Sequence, residues 1–154
     1  MTRRKYPDRP LVGVGAVVFS NDNVLLVRRG REPAYGLWSL PGGLVKLGET
    51  LEAAVRRELL EETGLHVKPV HLVACLDRVV KDAEGRIAYH YVLVDFLCEA
   101  VDGQLRPGSD VIACAFFALE ALHGLGLTRG VLEVIRKAGE VQRAGCSALY
   151  DPTL

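Results

Sequence analysis

Gly43-Leu44-Val45-Lys46-Leu47-Gly48-Glu49-Thr50-Leu51-Glu52-Ala53-Ala54-Val55-Arg56-Arg57-Glu58-Leu59-Leu60-Glu61-Glu62-Thr63-Gly64-Leu65 is the segment that organises this chain. Its second half reads as one helix from about Thr50 to Thr63. Thr50 can cap the N-terminus, Glu49 and Glu52 suit the positive end of the helix dipole, and Gly64 can take the left-handed conformation that closes a helix. At about 100° per residue, Glu58, Glu61 and Glu62 fall at roughly 0°, −60° and +40°, so three carboxylates share one arc. Like charges so crowded repel, and the simplest stabiliser of that many hard oxygens is a hard divalent ion such as Mg²⁺ or Mn²⁺. A run of glutamates is ordinarily a solvated helix face. Here Leu51, Val55 and Leu59 form an apolar stripe bordering the acidic arc, which points to acids in a crevice rather than in open water. Glu52 and Arg56 supply the polar far side, with Leu60 an apolar residue left unexplained among them.

Just before the helix, Pro41-Gly42-Gly43 and then Gly48 read as a loop whose backbone can approach a ligand without a Cβ in the way. Gly43, five residues, Glu49, seven residues, and Arg57-Glu58-Leu59-Leu60-Glu61-Glu62-Thr63-Gly64-Leu65 resemble the Nudix box at every specified position. This box is the signature of the Nudix hydrolases, the MutT-like pyrophosphohydrolases. The resemblance implies a Nudix-type α/β/α sandwich, a mixed β-sheet flanked by helices. It also implies that Glu58, Glu61 and Glu62 bind metal, with the backbone carbonyl of Gly42 as an additional ligand. Glu49 and Arg57 match positions that tie loop and helix together by an ion pair, and Gly43 and Gly64 complete the structural support. Lys46 departs from the pattern, since many members carry a glutamate there, and this bears on the number of metals bound.

Such enzymes hydrolyse a nucleoside diphosphate linked to a further group. Water attacking phosphorus needs activation, screened phosphate charge and a stabilised leaving oxygen. A carboxylate or a metal-bound hydroxide must take the water's proton. Glu58 and Glu61 are the local candidates, and Asp110, before the apolar run Val111 to Leu119, is a candidate from a later loop or else a turn residue. Arg28 and Arg29, in Arg28-Arg29-Gly30-Arg31, either clamp substrate phosphate in the fork geometry of guanidinium or belong to a solvated turn. Tyr35 and Trp38 either offer an aromatic face to a base or, for Trp38, join the core.

The 154 residues, nearly half of them apolar, suffice for one core. The reading places a flexible arm at 1–8, the Nudix hydrolase domain at 9–140 and a C-terminal tail at 141–154. A formal net charge of zero gives no support for a nucleic-acid polymer or an acidic membrane as partner. No stretch is apolar enough to span a bilayer, and no secretion signal opens the chain. Cys75, Cys98, Cys114 and Cys146 show no paired ligand spacing and read as buried thiols of a reducing compartment, so the expected location is cytoplasmic. The four histidines form no ligand spacing either.

Strands are expected over Leu11 to Ser20, Val24 to Arg29, Val67 to Lys81, Ile87 to Val101 and Val111 to Leu119. Asn21-Asp22-Asn23 reads as a hairpin turn, and Gly13-Val14-Gly15 as a strand with close backbone packing rather than a dinucleotide fingerprint. A second helix is expected from a Thr128 cap to about Lys137, closed by Gly139. The wording around Leu37 to Gly43 and Tyr89 to Phe96 resembles compact bacterial-type members associated with ADP-ribose, which implies cleavage to AMP and ribose 5-phosphate. The alternatives are a MutT-type pyrophosphohydrolase of dGTP or its oxidised form, and a nucleotide sensor without turnover. A sensor typically loses glutamates that this chain keeps. Family members that cleave ADP-ribose are often homodimers, so the resemblance implies a dimer.

Overall fold

A computed structural model describes residues 3–145. Strand β1 (Leu11–Ser20) turns through Asn21, at φ 55°, into β2 (Asn23–Arg29). Two short strands follow, β3 (Trp38–Ser39) and β4 (Gly42–Leu44), and then helix α1 (Leu51–Thr63). The long strands β5 (Leu65–Lys81) and β6 (Ile87–Gly103) form a hairpin, and β7 (Val111–Ala118), a 3-10 turn (Leu119–Gly124) and helix α2 (Val131–Ala144) complete the described chain.

The sheet runs β3-β2-β1-β6-β5, with β4 paired to β1 and β7 paired to β2. It is mixed: β1 lies parallel to β6, from Leu11 beside Tyr91 to Val18 beside Cys98, and the other pairings are antiparallel. Strands β1 and β2 stay paired only at their turn, Phe19 with Val24 and Ser20 with Asn23. Below that point they part. β4 takes the vacated edge of β1, Gly13 to Gly15 against Leu44 to Gly42, while β3 and β7 flank β2. This fork in the sheet is what makes room for a cleft.

One core cluster joins Val14, Ala16, Val18 and Phe96 to Ala54, Val55 and Leu59 of α1. The other joins Val17 and Leu97 to Val131, Val134, Ile135 and Ala138 of α2. Alternation along β1 and β6 thus feeds two apolar layers, one under each helix, and each fully buried Val, Leu or Phe contributes about 1.5–3 kcal/mol. This is the α/β arrangement of mixed sheet and flanking helices that the sequence implies.

Both ends of α1 are fixed by its own residues. Thr50 Oγ1 accepts from the Ala53 N–H at 3.1 Å, and the Gly64 N–H donates to the Leu60 carbonyl at 3.0 Å with φ at 74°. A Cβ on Gly64 would lie 2.3 Å from the Gln104 carbonyl oxygen. Gly64→Ala is therefore expected to destabilise the protein by at least about 2 kcal/mol, left-handed strain and collision together. Urea unfolding measures it, and an unchanged midpoint would contradict the account.

Several expectations need correction. The segment Pro41-Gly42-Gly43 is not all loop, because Gly42 and Gly43 pair with the edge of β1 that β2 leaves open. Helix α2 starts after Gly130, at φ 87°, and runs through Gly139 to Gly145, so neither Thr128 nor Gly139 bounds it. Its apolar stripe continues on to Val141, and that packing outweighs the roughly 1 kcal/mol cost of an internal glycine. Cys75 is exposed on edge strand β5, whereas Cys98 is buried and Cys114 half-buried. In the expected arm, Tyr6 donates to Asp82 Oδ2 at 2.9 Å and its N–H to the Ala88 carbonyl at 2.8 Å, which ties it to the β5–β6 hairpin. Cys146, Leu149 and Tyr150 of the expected tail lie outside the described residues. Among those described, no helix is long and apolar enough to cross a membrane.

Candidate active site

Arg57 is the hub of the acidic helix. Its Nε and Nη2 bind both oxygens of Glu49, at 2.7 and 2.9 Å, and Nη2 also donates to the Leu44 carbonyl at 3.0 Å. Nη1 reaches Glu58 at 2.6 Å and Glu61 at 3.2 Å. One guanidinium fork therefore joins the turn before α1, strand β4 and two helix carboxylates, a geometry that the single point charge of lysine cannot supply. Glu49 also accepts from the Lys46 N–H at 2.9 Å, and the Arg57 hydrogen bonds hold its carboxyl down to a pKa of about 2.

Glu62 behaves differently. It sits one turn on from Glu58, and its Oε2 accepts from the Gly42 N–H at 2.9 Å. Burial pushes its pKa up to about 8; Glu58 and Asp110 push the same way, while the Gly42 hydrogen bond and Arg29 oppose. A half-buried acid with two acidic neighbours is a place where a cation lowers the energy. Close by, a Cβ on Gly43 would fall 2.4 Å from the Glu58 carboxylate, so only glycine lets strand and acid approach this closely.

These donors are hard oxygens, the type that suits Mg²⁺ or Mn²⁺. They are not, however, drawn together around one point. Among the described residues, no group of three or more His, Cys, Asp or Glu side chains is placed to hold a metal ion. Glu58 and Glu61 turn to Arg57, Glu62 turns to the Gly42 N–H, and mutual repulsion favours that separation.

Glu62 opens onto a cleft of about 580 Å³ in the fork of the sheet, within the range of small-molecule sites. Gly42, Gly43, Arg29 and Asp110 line it too. Arg29 is half-buried and its Nε donates to the Pro33 carbonyl at 2.7 Å; burial lowers its pKa and Glu62 raises it. Asp110 is ion-paired with Arg31, another cleft residue.

Other sequence candidates lie elsewhere. Arg28 does not line the cleft, because adjacent strand residues face opposite sides, and its Nε donates to the Gly36 carbonyl at 2.9 Å. Trp38 packs edge-on against Phe117, 4.8 Å between ring centres, as part of the second core cluster. Tyr35 and Lys46 are exposed and also outside the cleft lining.

The residue that the sequence reading passed over is Asp95. Only 6% exposed, it stands on β6 at the floor of the cleft. Its signal was a lone carboxylate inside the apolar run Val92-Leu93-Val94-Asp95-Phe96-Leu97. Burial pushes its pKa up to about 6, against the pull of Arg78. Because the folded-state value exceeds the ordinary 3.8, the group's stability contribution is complete below pH 4 and is lost as pH rises through 6. The stability of Asp95→Asn relative to the parent is thus expected to rise with pH, by up to about 3 kcal/mol between pH 4 and 8. Urea titrations across that range measure the difference, and a pH-independent gap would contradict the burial argument.

Known proteins share this architecture. The crystal structure of a MutT NUDIX hydrolase from Burkholderia pseudomallei superposes with a TM-score of 0.74 at 32% identity, covering 84% of this chain and 98% of that one. The NUDIX domain of Shewanella oneidensis NrtR, in its cocrystal structure with ADP ribose, gives a TM-score of 0.69 at 26% identity over 88% of this chain and 90% of that one. In sequence, the chain is 35% identical over 116 residues to an ADP-ribose pyrophosphatase of Methanocaldococcus jannaschii, covering 75% of this chain and 66% of that protein's length. The model of the NUDIX domain matches residues 9–137, the span that carries the acidic helix, the forked sheet and the cleft, and the chain belongs to the Nudix family.

Proposed function

We propose that the chain hydrolyses the pyrophosphate bond of ADP-ribose to AMP and ribose 5-phosphate, with Mg²⁺ or Mn²⁺ held by Glu58, Glu61, Glu62 and the Gly42 carbonyl. The observation that carries this reading is the placing of half-buried Glu62 beside the Gly42–Gly43 backbone, in the lining of a nucleotide-sized cleft that also holds Arg29 and Arg31. Divalent ions of this kind screen phosphate charge and polarise the phosphorus centre. Arg29 and Arg31 are the cations that meet the diphosphate, and Arg57 holds Glu58 and Glu61 in place through its fork. The oxygen of water bonds to one phosphorus, the bridging P–O bond breaks, and the water's proton passes to a carboxylate, with Glu58, Glu61 and Asp110 the groups available. The likeness to the archaeal ADP-ribose pyrophosphatase and to the ADP ribose-bound NrtR domain supports the choice of substrate.

Incubation with ADP-ribose and Mg²⁺, with products separated by anion-exchange chromatography, tests the reading. AMP and ribose 5-phosphate in equal amounts are expected. Release of pyrophosphate from oxidised dGTP with ADP-ribose untouched would replace this reading by the MutT-type one, and no product from either would replace it by the sensor.

A further inference from the structure

We propose that Asp95 reads the sugar: its carboxylate accepts hydrogen bonds from the vicinal hydroxyls of a ribose in the bound ligand and so selects ribose over 2-deoxyribose. The inference rests on the reading of the cleft as a nucleoside-diphosphate site and adds to it a residue that discriminates between ligands.

Position is the first argument. Gly15 on β1 is flanked by Gly42 of β4 on one side and Asp95 of β6 on the other. An ideal Cβ on Gly15 would lie 2.3 Å from Asp95 Oδ1 and 3.7 Å from the Pro41 carbonyl oxygen, so the carboxylate leans over the glycine into space that any other residue would fill. With neighbouring strands about 4.8 Å apart, this puts the carboxylate about one strand spacing from the Gly42 backbone, where the metal that engages the diphosphate is proposed to sit. The hydroxyls of a ribose lie one pentose ring from its 5′-phosphate, whereas a nucleobase lies beyond that ring. The separation therefore matches the sugar.

Chemistry is the second argument. Asp95 is 6% exposed, and among the described residues no group donates a hydrogen bond to it and no cation pairs with it in a salt bridge. Arg78, the cation whose charge it feels, donates instead to the Arg129 carbonyl at 2.5 Å. No fully enclosed side-chain oxygen lacks a partner among the described residues, so the Asp95 oxygens keep access to the cleft. An acceptor-only side chain that has given up most of its water and gained no protein donor is set to receive donors from a ligand. Two adjacent O–H groups match its two oxygens. Gly13, Leu76 and Leu93, also lining the cleft, offer the low apolar walls that a pentose ring can rest against.

The ribose can be the terminal sugar or the one in the nucleoside, and one experiment separates the two. Amide shifts of the ¹⁵N-labelled protein are followed on titration with ribose 5-phosphate against 2-deoxyribose 5-phosphate, and with AMP against 2′-deoxy-AMP. In at least one pair the ribose member is expected to bind about tenfold more tightly, and Asp95→Asn is expected to erase that preference, as the loss of hydrogen bonds to a charged acceptor requires. The pair that shows the effect names the sugar. Equal response within both pairs, including none at all, or a preference that survives in Asp95→Asn, overturns the proposal. Thermal unfolding of Asp95→Asn confirms that the variant is folded. None of these titrations depends on turnover, so failure of ADP-ribose hydrolysis with the sugar preference intact would count against the proposed function alone.

Discussion

Glu62→Gln is expected to lower ADP-ribose turnover by about 10²- to 10⁴-fold, the effect of several kcal/mol of lost electrostatic stabilisation. Glutamine keeps the size of the side chain and an oxygen that can accept from the Gly42 N–H, now at 2.9 Å, so packing at this half-buried position is preserved. What it removes is the negative charge. The loss should appear in kcat more than in KM, because phosphate binding still has Arg29 and Arg31 in the cleft. Glu61→Gln is expected to fall by a similar order, although Glu61 is exposed and the one side-chain hydrogen bond it makes among the described residues is the 3.2 Å contact from Arg57. Steady-state kinetics at saturating Mg²⁺ decides. Full activity in both variants would remove the metal assignment.

Arg57→Ala carries the second largest effect, and it acts on both stability and rate. The substitution cancels five hydrogen bonds and leaves Glu49 and Glu58, both largely shielded from solvent, without their cation. Breaking a shielded pair by deleting one partner strands the other charge, and partial exposure tempers the cost to about 2–3 kcal/mol. Turnover should drop about 10- to 100-fold, the usual penalty for losing a group that orients metal ligands. Arg57→Lys should recover part of the stability and little of the rate, since an ammonium cannot span Glu49, Leu44 and Glu58 at once. Denaturant unfolding and kcat together test this. A lysine variant with full activity would mean that charge alone, and not the fork, is what the site needs.

The contrast between what the sequence disclosed and what it withheld follows the range of the forces involved. Helix α1 and its caps were legible because Thr50 and Gly64 act within one turn of their own positions, and the long strands were legible from their alternating or apolar runs. The mixed sheet with flanking helices followed from the resemblance carried by the Gly43 to Leu65 segment. By contrast, β3 and β4 are two and three residues long and exist because the β1–β2 fork leaves edges to fill, which nothing local announces. The far end of α2 was missed for the same reason: its stripe meets β5 and β6, far away in the sequence, and overrides Gly139.

At the site, the residues drawn from one helix were named readily, whereas the cleft is assembled from parts remote in sequence. Sequence could not say which of two adjacent arginines faces inward; strand direction gives Arg29 to the cleft and Arg28 to the Gly36 carbonyl. Nor could it show that the ring of Trp38 is spent on Phe117. Asp95 went unnoticed because its meaning depends on Gly15, eighty residues earlier and one strand away.

The most direct test of the central claim is anomalous diffraction from crystals grown with Mn²⁺ and a non-hydrolysable ADP-ribose analogue. The account predicts manganese within coordinating distance of Glu62 and Glu58, with those side chains turned from Gly42 and Arg57 toward the ion and the diphosphate beside Arg29. A ligand bound in the cleft with no anomalous signal near α1, and both carboxylates still engaged with the Gly42 N–H and Arg57, would contradict it.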